Sequence, residues 1–421
     1  MSNTLYKETG EAPFSLDTFL RNWYHFGVAM LGAAIYGFPS RHILVIGITG
    51  TKGKSSTSEM LNAILEEAGY TTALVGSIRV KVGTDSRPNT TNSMPGRFFL
   101  QSFLSRAVRE KCHVAIIEMT SQGATQSRHR GIDMDALIFT NLAPEHIESH
   151  GSYQAYADAK FEIAKQLARS KKNPRFVVAN ADDKESPRYL SLSVEHRIPY
   201  TLAGVQPYHA DDQGGYFTFD ETRINVHIPG EFSLRNALAA TMLARALGVK
   251  PPVIAAALDK LHVIPGRAET IEAGQSFGVV VDYAHTPDSL EALYQAFSNR
   301  RKICVVSSTG GGRDTWKRPT MGAIADKYCH HVIVTDEDPF DEDPRSIMDA
   351  VARGMKRTPE IIEDRREAIA KACSMAEGND VVLITGKGTD PYLRGANGKN
   401  IPWSDAQVAR EELSKLLKQN V

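Results

Sequence analysis

Short apolar runs bounded by polar, glycine-containing loops recur along this chain, and their length and uniform hydrophobicity predict buried strands. The first covers residues 42–48 and leads into a glycine-rich turn and a helix opening at Lys54 and Ser55. The pattern then predicts a helix over 55–68, a strand over 72–75, a polar stretch through Asn92 and a helix over 96–110. Strands follow at 113–118, 136–140 and 175–179, with a helix over 153–168. Strands alternating with helices predict an α/β fold with a mostly parallel sheet covered on both faces and ligands at the carboxyl ends of its strands.

Short β segments are expected at 216–219 and 223–228, then a helix rich in Ala and Leu over 233–247. A boundary is expected at 264–267, beyond which strands at 278–282, 302–306, 331–335 and 380–385 form a second, Rossmann-like α/β set. The organisation predicted is a short N-terminal segment (1–40), a central α/β domain that contains the glycine-rich turn (41–264) and a C-terminal domain (265–421). Residues 24–38 are uncharged but fall short of the ~20 residues a membrane span needs, so a buried or substrate-facing helix is expected there. Residues 1–16 carry Lys7, Glu8 and Glu11 and lack the apolar run of a secretory signal.

The 421 residues carry 49 Lys plus Arg against 49 Asp plus Glu, a balance that argues against broad electrostatic capture of nucleic acid or of an acidic membrane. Any anion must be met locally. The four cysteines contain no C-x-x-C pair, which argues against a zinc site or a disulfide framework and fits a reducing cytoplasm.

The glycine-rich turn supplies the local anion site. In Gly50-Thr51-Lys52-Gly53-Lys54-Ser55-Ser56, backbone N–H groups of the turn and the helix N-terminus point at phosphate oxygens, Lys54 reaches the terminal phosphates and Ser55 holds magnesium. A strict P-loop pattern asks for a small residue at position 48, where this chain has Ile48. Glu118, at a strand end, and His146, in the loop after the next strand, suit the placing of magnesium and water around a nucleotide. On composition alone, Lys160 reads as a surface lysine pairing with Asp158 or Glu162. In the second strand set, the loops 282–287, 310–314, 336–339 and 386–390 end four strands and form one polar rim.

GTKGKSS (50–56), NTTN (89–92), EMTSQGATQSR (118–128), TNLAPEHIESHG (140–151), FSLRNALAA (232–240), PGRAE (265–269), DYAHTPDSLEAL (282–293), GGGRDTWKRPTMGAIA (310–325) and GKGTD (386–390), with the helix containing Lys160, resemble in this order the Mur ligases, and among them the tripeptide-synthetase branch. The resemblance implies an ATP- and Mg2+-dependent ligase of peptidoglycan precursor synthesis, which joins a muramoyl-peptide carboxylate to an amino acid through an acyl phosphate. By position it implies nucleotide contacts at 50–56, Asn236, Arg267 and Asp282, and catalytic roles for Lys54, Glu118, His146, Lys160 and His285. Ser55, Glu118, His146 and a carbamylated Lys160 would serve the metal, and Thr90, Thr91, Ser121, Gln126 and Arg128 the muramoyl-peptide. Arg313, Glu337, Asp338, Gly386 and Asp390 would meet the incoming amino acid.

Two departures from the family pattern alter expectations. Only some 40 residues precede the first strand, against the ~100 of a small UDP-gripping domain, so a reduced segment or a partner reads the UDP, or the donor lacks it. Branch members that select diaminopimelate carry Asp-Asn-Pro-Arg, whose arginine clamps a carboxylate; here Asp336-Glu337-Asp338-Pro339 is followed by Phe340. Loss of that guanidinium beside Glu337, Asp338 and Asp390 favours a basic acceptor, lysine or ornithine. The competing readings are a folylpolyglutamate synthetase-like ligase and a non-catalytic nucleotide-binding protein.

Overall fold

The computed structural model describes residues 16–419, so the reading of residues 1–15 lies outside it. The apolar runs form the interior strands of two sheets. In the first, β1 (Leu44–Thr49) is central, flanked by β5 (Val114–Glu118) and β6 (Ala136–Phe139), with β2 (Thr72–Val75) beyond β5 and β7 (Phe176–Asn180) and β8 (His196–Tyr200) beyond β6. All six run parallel. Parallel strands need crossover connections, and the helices Lys54–Glu67, Arg97–Arg109 and Tyr153–Ala168 supply them.

The polar stretch after residue 75 is not loop throughout. It contains β3 (Arg79–Val82) and β4 (Asp85–Pro88), which extend the sheet antiparallel to its edge. Their signal was hidden because β4, an edge strand, is exposed along its whole length and has no apolar face to bury. A small antiparallel sheet of β9 (Tyr208–Ala210), β10 (Gly215–Phe219) and β11 (Thr222–Val226) follows, then the helix Glu231–Ala246. That helix and Lys54–Glu67 bury Leu234, Leu238, Met60 and Ile64 together in one core.

The second sheet has the order β12 (Glu269–Thr270), β13 (Gly278–Asp282), β17 (Val381–Thr385), β14 (Lys302–Val306), β15 (His331–Val334) and β16 (Glu360–Ile361), with only β12 antiparallel. A hairpin of β18 (Tyr392–Arg394) and β19 (Asn400–Pro402) stands beside it.

One expectation is corrected here and another is narrowed. Cys304, on β14, and Cys329, just before β15, form a disulfide. Their separation of 25 residues carries no motif, and only the pairing of β14 with β15 brings them together. The apolar segment after residue 23 is the end of a helix, Leu16–Ile35, that is half covered rather than buried: Ala29 and Ala33 are buried, while Trp23, Tyr24, Leu31 and Ile35 are exposed. No helix among the described residues is long and apolar enough to cross a membrane.

Candidate active site

The register of the first sheet builds the site. Ile48 pairs with Glu118 on one side of β1 and Thr49 with Phe139 on the other, so Glu118 and the loop Thr140–Asn141 stand on either side of the turn after β1. That turn is pinned. Lys52 N–H donates to Asn141 Oδ1 at 2.9 Å, Thr140 Oγ1 donates to the Lys52 carbonyl at 2.6 Å, and Thr51 Oγ1 meets the Tyr156 hydroxyl at 2.9 Å. Gly53 has φ 84°, and a Cβ there would stand 2.2 Å from Asn236 Oδ1. Only glycine provides both the left-handed turn and the space.

Together with the rim of the second sheet, the turn encloses a cavity of about 540 Å³ lined by residues 51–56, Thr90, Thr91, His146, Asn236, Arg267, Asp282, His285 and Asp390. Lys54 Nζ donates to the carbonyls of Gly50 and Thr51 at 2.9 Å each. Burial lowers its pKa, so an arriving anion would gain a partner for a poorly solvated ammonium. Ser55 Oγ donates to Glu118 Oε2 at 3.2 Å, and Ser77 holds both carboxylate oxygens of Glu118 through its N–H and hydroxyl. A hydroxyl and a fixed carboxylate beside a phosphate cradle fit magnesium, with nucleotide oxygens and water completing its shell. No group of three or more His, Cys, Asp or Glu side chains gathers for a metal among the described residues.

Lys160 is not a surface lysine. It is 2 % exposed, and its Nζ donates to the Gly50 carbonyl at 2.8 Å and lies 5.0 Å from the Tyr156 ring centre. Burial, then the charge of Lys54, holds its pKa well below the ordinary lysine value. His146 sits at φ 58° before a short helical turn; its N–H and that of Ile147 donate to the Asp314 carboxylate at 2.9 and 3.1 Å. Burial lowers the pKa of its ring.

The sequence reading missed Glu145, 5 % exposed. It accepts hydrogen bonds from Lys52 Nζ at 2.9 Å and from His285 Nε2 at 2.8 Å. Burial would raise its pKa, but Lys52 and His285 hold it well below the usual carboxylate range. His285 Nδ1 faces the Tyr283 carbonyl at 2.6 Å, so its two contacts favour the doubly protonated ring, while burial and Lys52 push the other way, to about 4. Arg267 Nη2 donates to Ser55 Oγ at 3.3 Å, a second link between the two sheets. Asp282 lines the cavity but accepts from the N–H groups of Ala268 and Ala284, which shapes its own loop.

The remaining candidates separate. Thr91 is held by Asn89 Oδ1 and faces the cavity with Thr90. Ser121, in contact with His150 Nε2 at 3.1 Å, and the Gln126–Arg128 pair lie outside the cavity lining. Glu337 is buried and accepts from Ser307 and Thr309. It stands 2.5 Å from where a Cβ on Gly386 would be. Both oxygens of Asp338 accept from Lys387 Nζ, at 2.8 and 2.9 Å. Thus the acidic trio expected to await a basic side chain is largely engaged by the protein, and only Asp390 lines the cavity. Arg313 lies over the Phe340 ring, 4.8 Å from its centre.

Comparison with known proteins places this geometry. Residues 48–244 match the Mur ligase middle domain and 266–388 the Mur ligase glutamate ligase domain. The UDP-N-acetylmuramoyl-L-alanyl-D-glutamate–2,6-diaminopimelate ligase of Syntrophomonas wolfei is 35% identical over 406 residues, covering 92% of this chain and 81% of that protein. The Bacillus cereus protein of the same name is 33% identical over 423 residues, covering 96% and 85%. A solved ligase of that name superposes with TM-score 0.61 at 26% identity, over 90% of this chain and 79% of that one. The folylpolyglutamate synthase of Mycobacterium tuberculosis shares the fold, with TM-score 0.67 at 18% identity, over 89% and 97%. The chain therefore belongs to the Mur ligase family of ATP- and magnesium-dependent ligases that form amide bonds.

Proposed function

We propose that this ligase activates the terminal carboxylate of a muramoyl-peptide and joins it to the α-amine of an amino acid that carries a second amino group: lysine, ornithine or diaminopimelate. The observation that carries the reading is one cavity lined by the phosphate turn, by Thr90 and Thr91, and by Asp390 of the second sheet's rim. Donor, nucleotide and acceptor then meet in one place. We assign the central domain to 41–264 and the C-terminal domain to 265–421, with the UDP end of the donor read by the segment before residue 41 or by a partner protein. The reaction is assigned to the cytoplasm, where ATP is supplied.

A donor carboxylate oxygen attacks the γ-phosphorus of ATP, the bond to the bridging oxygen breaks and ADP leaves. The α-amine then attacks the acyl carbon, loses a proton, and the C–O bond breaks to release phosphate. Two anions must approach in the first step, so the residues' task is to neutralise charge and fix the line of attack. Lys54 and the N–H groups of 51–56 cradle the transferring phosphoryl group, and Arg267 and Asn236 flank the nucleotide. Ser55 and Glu118 would hold the magnesium ion, which offsets charge on the phosphates. Lys160, whose pKa burial and the charge of Lys54 hold well below the ordinary lysine value, is open to carbamylation by CO2, which would turn a buried base into an anion able to bind a cation. Asp390 attracts the acceptor's distal ammonium.

The test is phosphate release in magnesium and ATP with UDP-muramoyl-dipeptide, with and without each amino acid, and the mass of any product. A new peptide formed with a diamino acid supports the reading. Release that ignores the amine, or ligation only to a folate, overturns it.

A further inference from the structure

The guanidinium missing at position 340 is restored from another element. Phe340 has φ 54°, and its N–H donates at 3.0 Å to the carbonyl of Arg394, on β18. The Arg394 N–H donates to Asp338 Oδ1 at 2.9 Å, and its Nη1 donates to Asp338 Oδ2 at 2.9 Å and to Asp390 Oδ2 at 2.6 Å. The hairpin is thereby fastened to the loop that ends at Phe340, and its arginine turns into the cavity that Asp390 and the nucleotide turn also line.

One nitrogen makes all of these side-chain bonds. Nε and Nη2 have no protein partner among the described residues, and the side chain is 32 % exposed. A guanidinium presents a planar fork, and two unengaged N–H-bearing nitrogens along one edge match the two oxygens of a carboxylate. The Asp338 and Asp390 charges stabilise the cation, and both carboxylates are already paired with Lys387 and Arg394 rather than left open to a purely cationic ligand. Asp390 beside Arg394 is an anion next to a cation, complementary to a group that bears both an ammonium and a carboxylate.

We propose that Arg394 is the residue that sets acceptor specificity, binding a carboxylate at the far end of the amino acid while Asp390 meets the ammonium beside it. This deepens the ligase reading above and rests on it. Within the diamino acids it selects diaminopimelate over lysine and ornithine. Lysine is diaminopimelate without the distal carboxylate, so the two acceptors isolate the one group Arg394 is said to read.

The experiment compares kcat/KM for the two acceptors in the full chain, in Arg394→Met, and in Arg394→Met combined with Phe340→Arg. The wild type should favour diaminopimelate by about a hundredfold or more, as expected when a site built to bind a charged group meets a ligand lacking it. Arg394→Met should reduce that ratio at least about thirtyfold, and Phe340→Arg, by returning a guanidinium to the other side of the same contact, should recover part of it. A wild type that uses lysine as well as diaminopimelate overturns the proposal whether or not the variants fold. A ratio unmoved by Arg394→Met overturns it too, and leaves Arg394 as a clamp for the hairpin. Silence with both acceptors in protein that binds ATP overturns the ligase reading itself.

Discussion

The Glu145 carboxylate and the His285 ring meet at 2.8 Å, one from the loop after the strand Ala136–Phe139, the other from the loop after Gly278–Asp282. Lys52, from the phosphate turn, shares the same carboxylate oxygen at 2.9 Å. One buried anion thus ties together a lysine and a histidine from two sheets in the lining of the cavity. Removing a buried, paired carboxylate leaves its partners' charge uncompensated and costs about 3–5 kcal/mol.

Glu145→Ala should therefore open the cavity and misplace Lys52. We expect kcat/KM for ATP to fall about a hundredfold, with a smaller fall for Glu145→Gln, which keeps an oxygen acceptor. Steady-state kinetics beside direct nucleotide binding would check this; unchanged kinetics in both variants would show that the contact does not position the site.

Gly53→Ala should abolish nucleotide binding without unfolding the chain. Its Cβ would fall 2.2 Å from Asn236 Oδ1 at a φ of 84°, so the turn must deform while the strands behind it remain covered. Fluorescent nucleotide titration with a thermal melt separates the two effects.

Lys160 should add CO2. Its amine is buried beside Lys54, and burial with that neighbouring charge holds its pKa well below the ordinary lysine value, which favours the neutral, nucleophilic amine. Protein equilibrated with 13C-bicarbonate should show a carbamate resonance that Lys160→Ala lacks, and degassed enzyme should lose activity that bicarbonate restores. A spectrum identical in the two proteins would contradict this.

His129 predicts an acid-labile fold. The residue is 1 % exposed, neither ring nitrogen has a hydrogen-bond partner among the described residues, and burial with the charges of Arg130 and Arg169 lowers its pKa to about 3. The unfolded chain, with its histidine near 6.5, binds the proton more readily. The neutral ring's contribution is therefore fully present above about pH 6.5 and is lost as pH falls toward 3, with a slope approaching ~1.4 kcal/mol per pH unit. In His129→Leu, denaturation curves taken from pH 7 to pH 4 should show a shallower acid limb than the wild type.

The buried strands were legible because parallel strands covered on both faces are apolar throughout: Gly278–Asp282 and Lys302–Val306 have the predicted bounds. The phosphate turn was legible because its chemistry is contiguous in sequence. What escaped depends on contacts between distant segments. Glu145 is one acid in a loop until Lys52 and His285 arrive 93 and 140 residues away in the chain. Lys160 reads as a surface residue beside Asp158 and Glu162, and only the packing of its helix against the turn buries it. Arg394 lies on a three-residue strand with no apolar alternation to mark it, so a guanidinium 54 residues beyond position 340 did not enter the reading of the acceptor from sequence.

We propose that one cavity passes a phosphoryl group from ATP to a carboxylate before the amide forms. A muramoyl-peptide donor carrying 18O in its terminal carboxylate, turned over with ATP, magnesium and diaminopimelate, tests it directly. Passage through an acyl phosphate requires one labelled oxygen to leave with each released phosphate. Phosphate free of 18O, with product formed, would contradict the account.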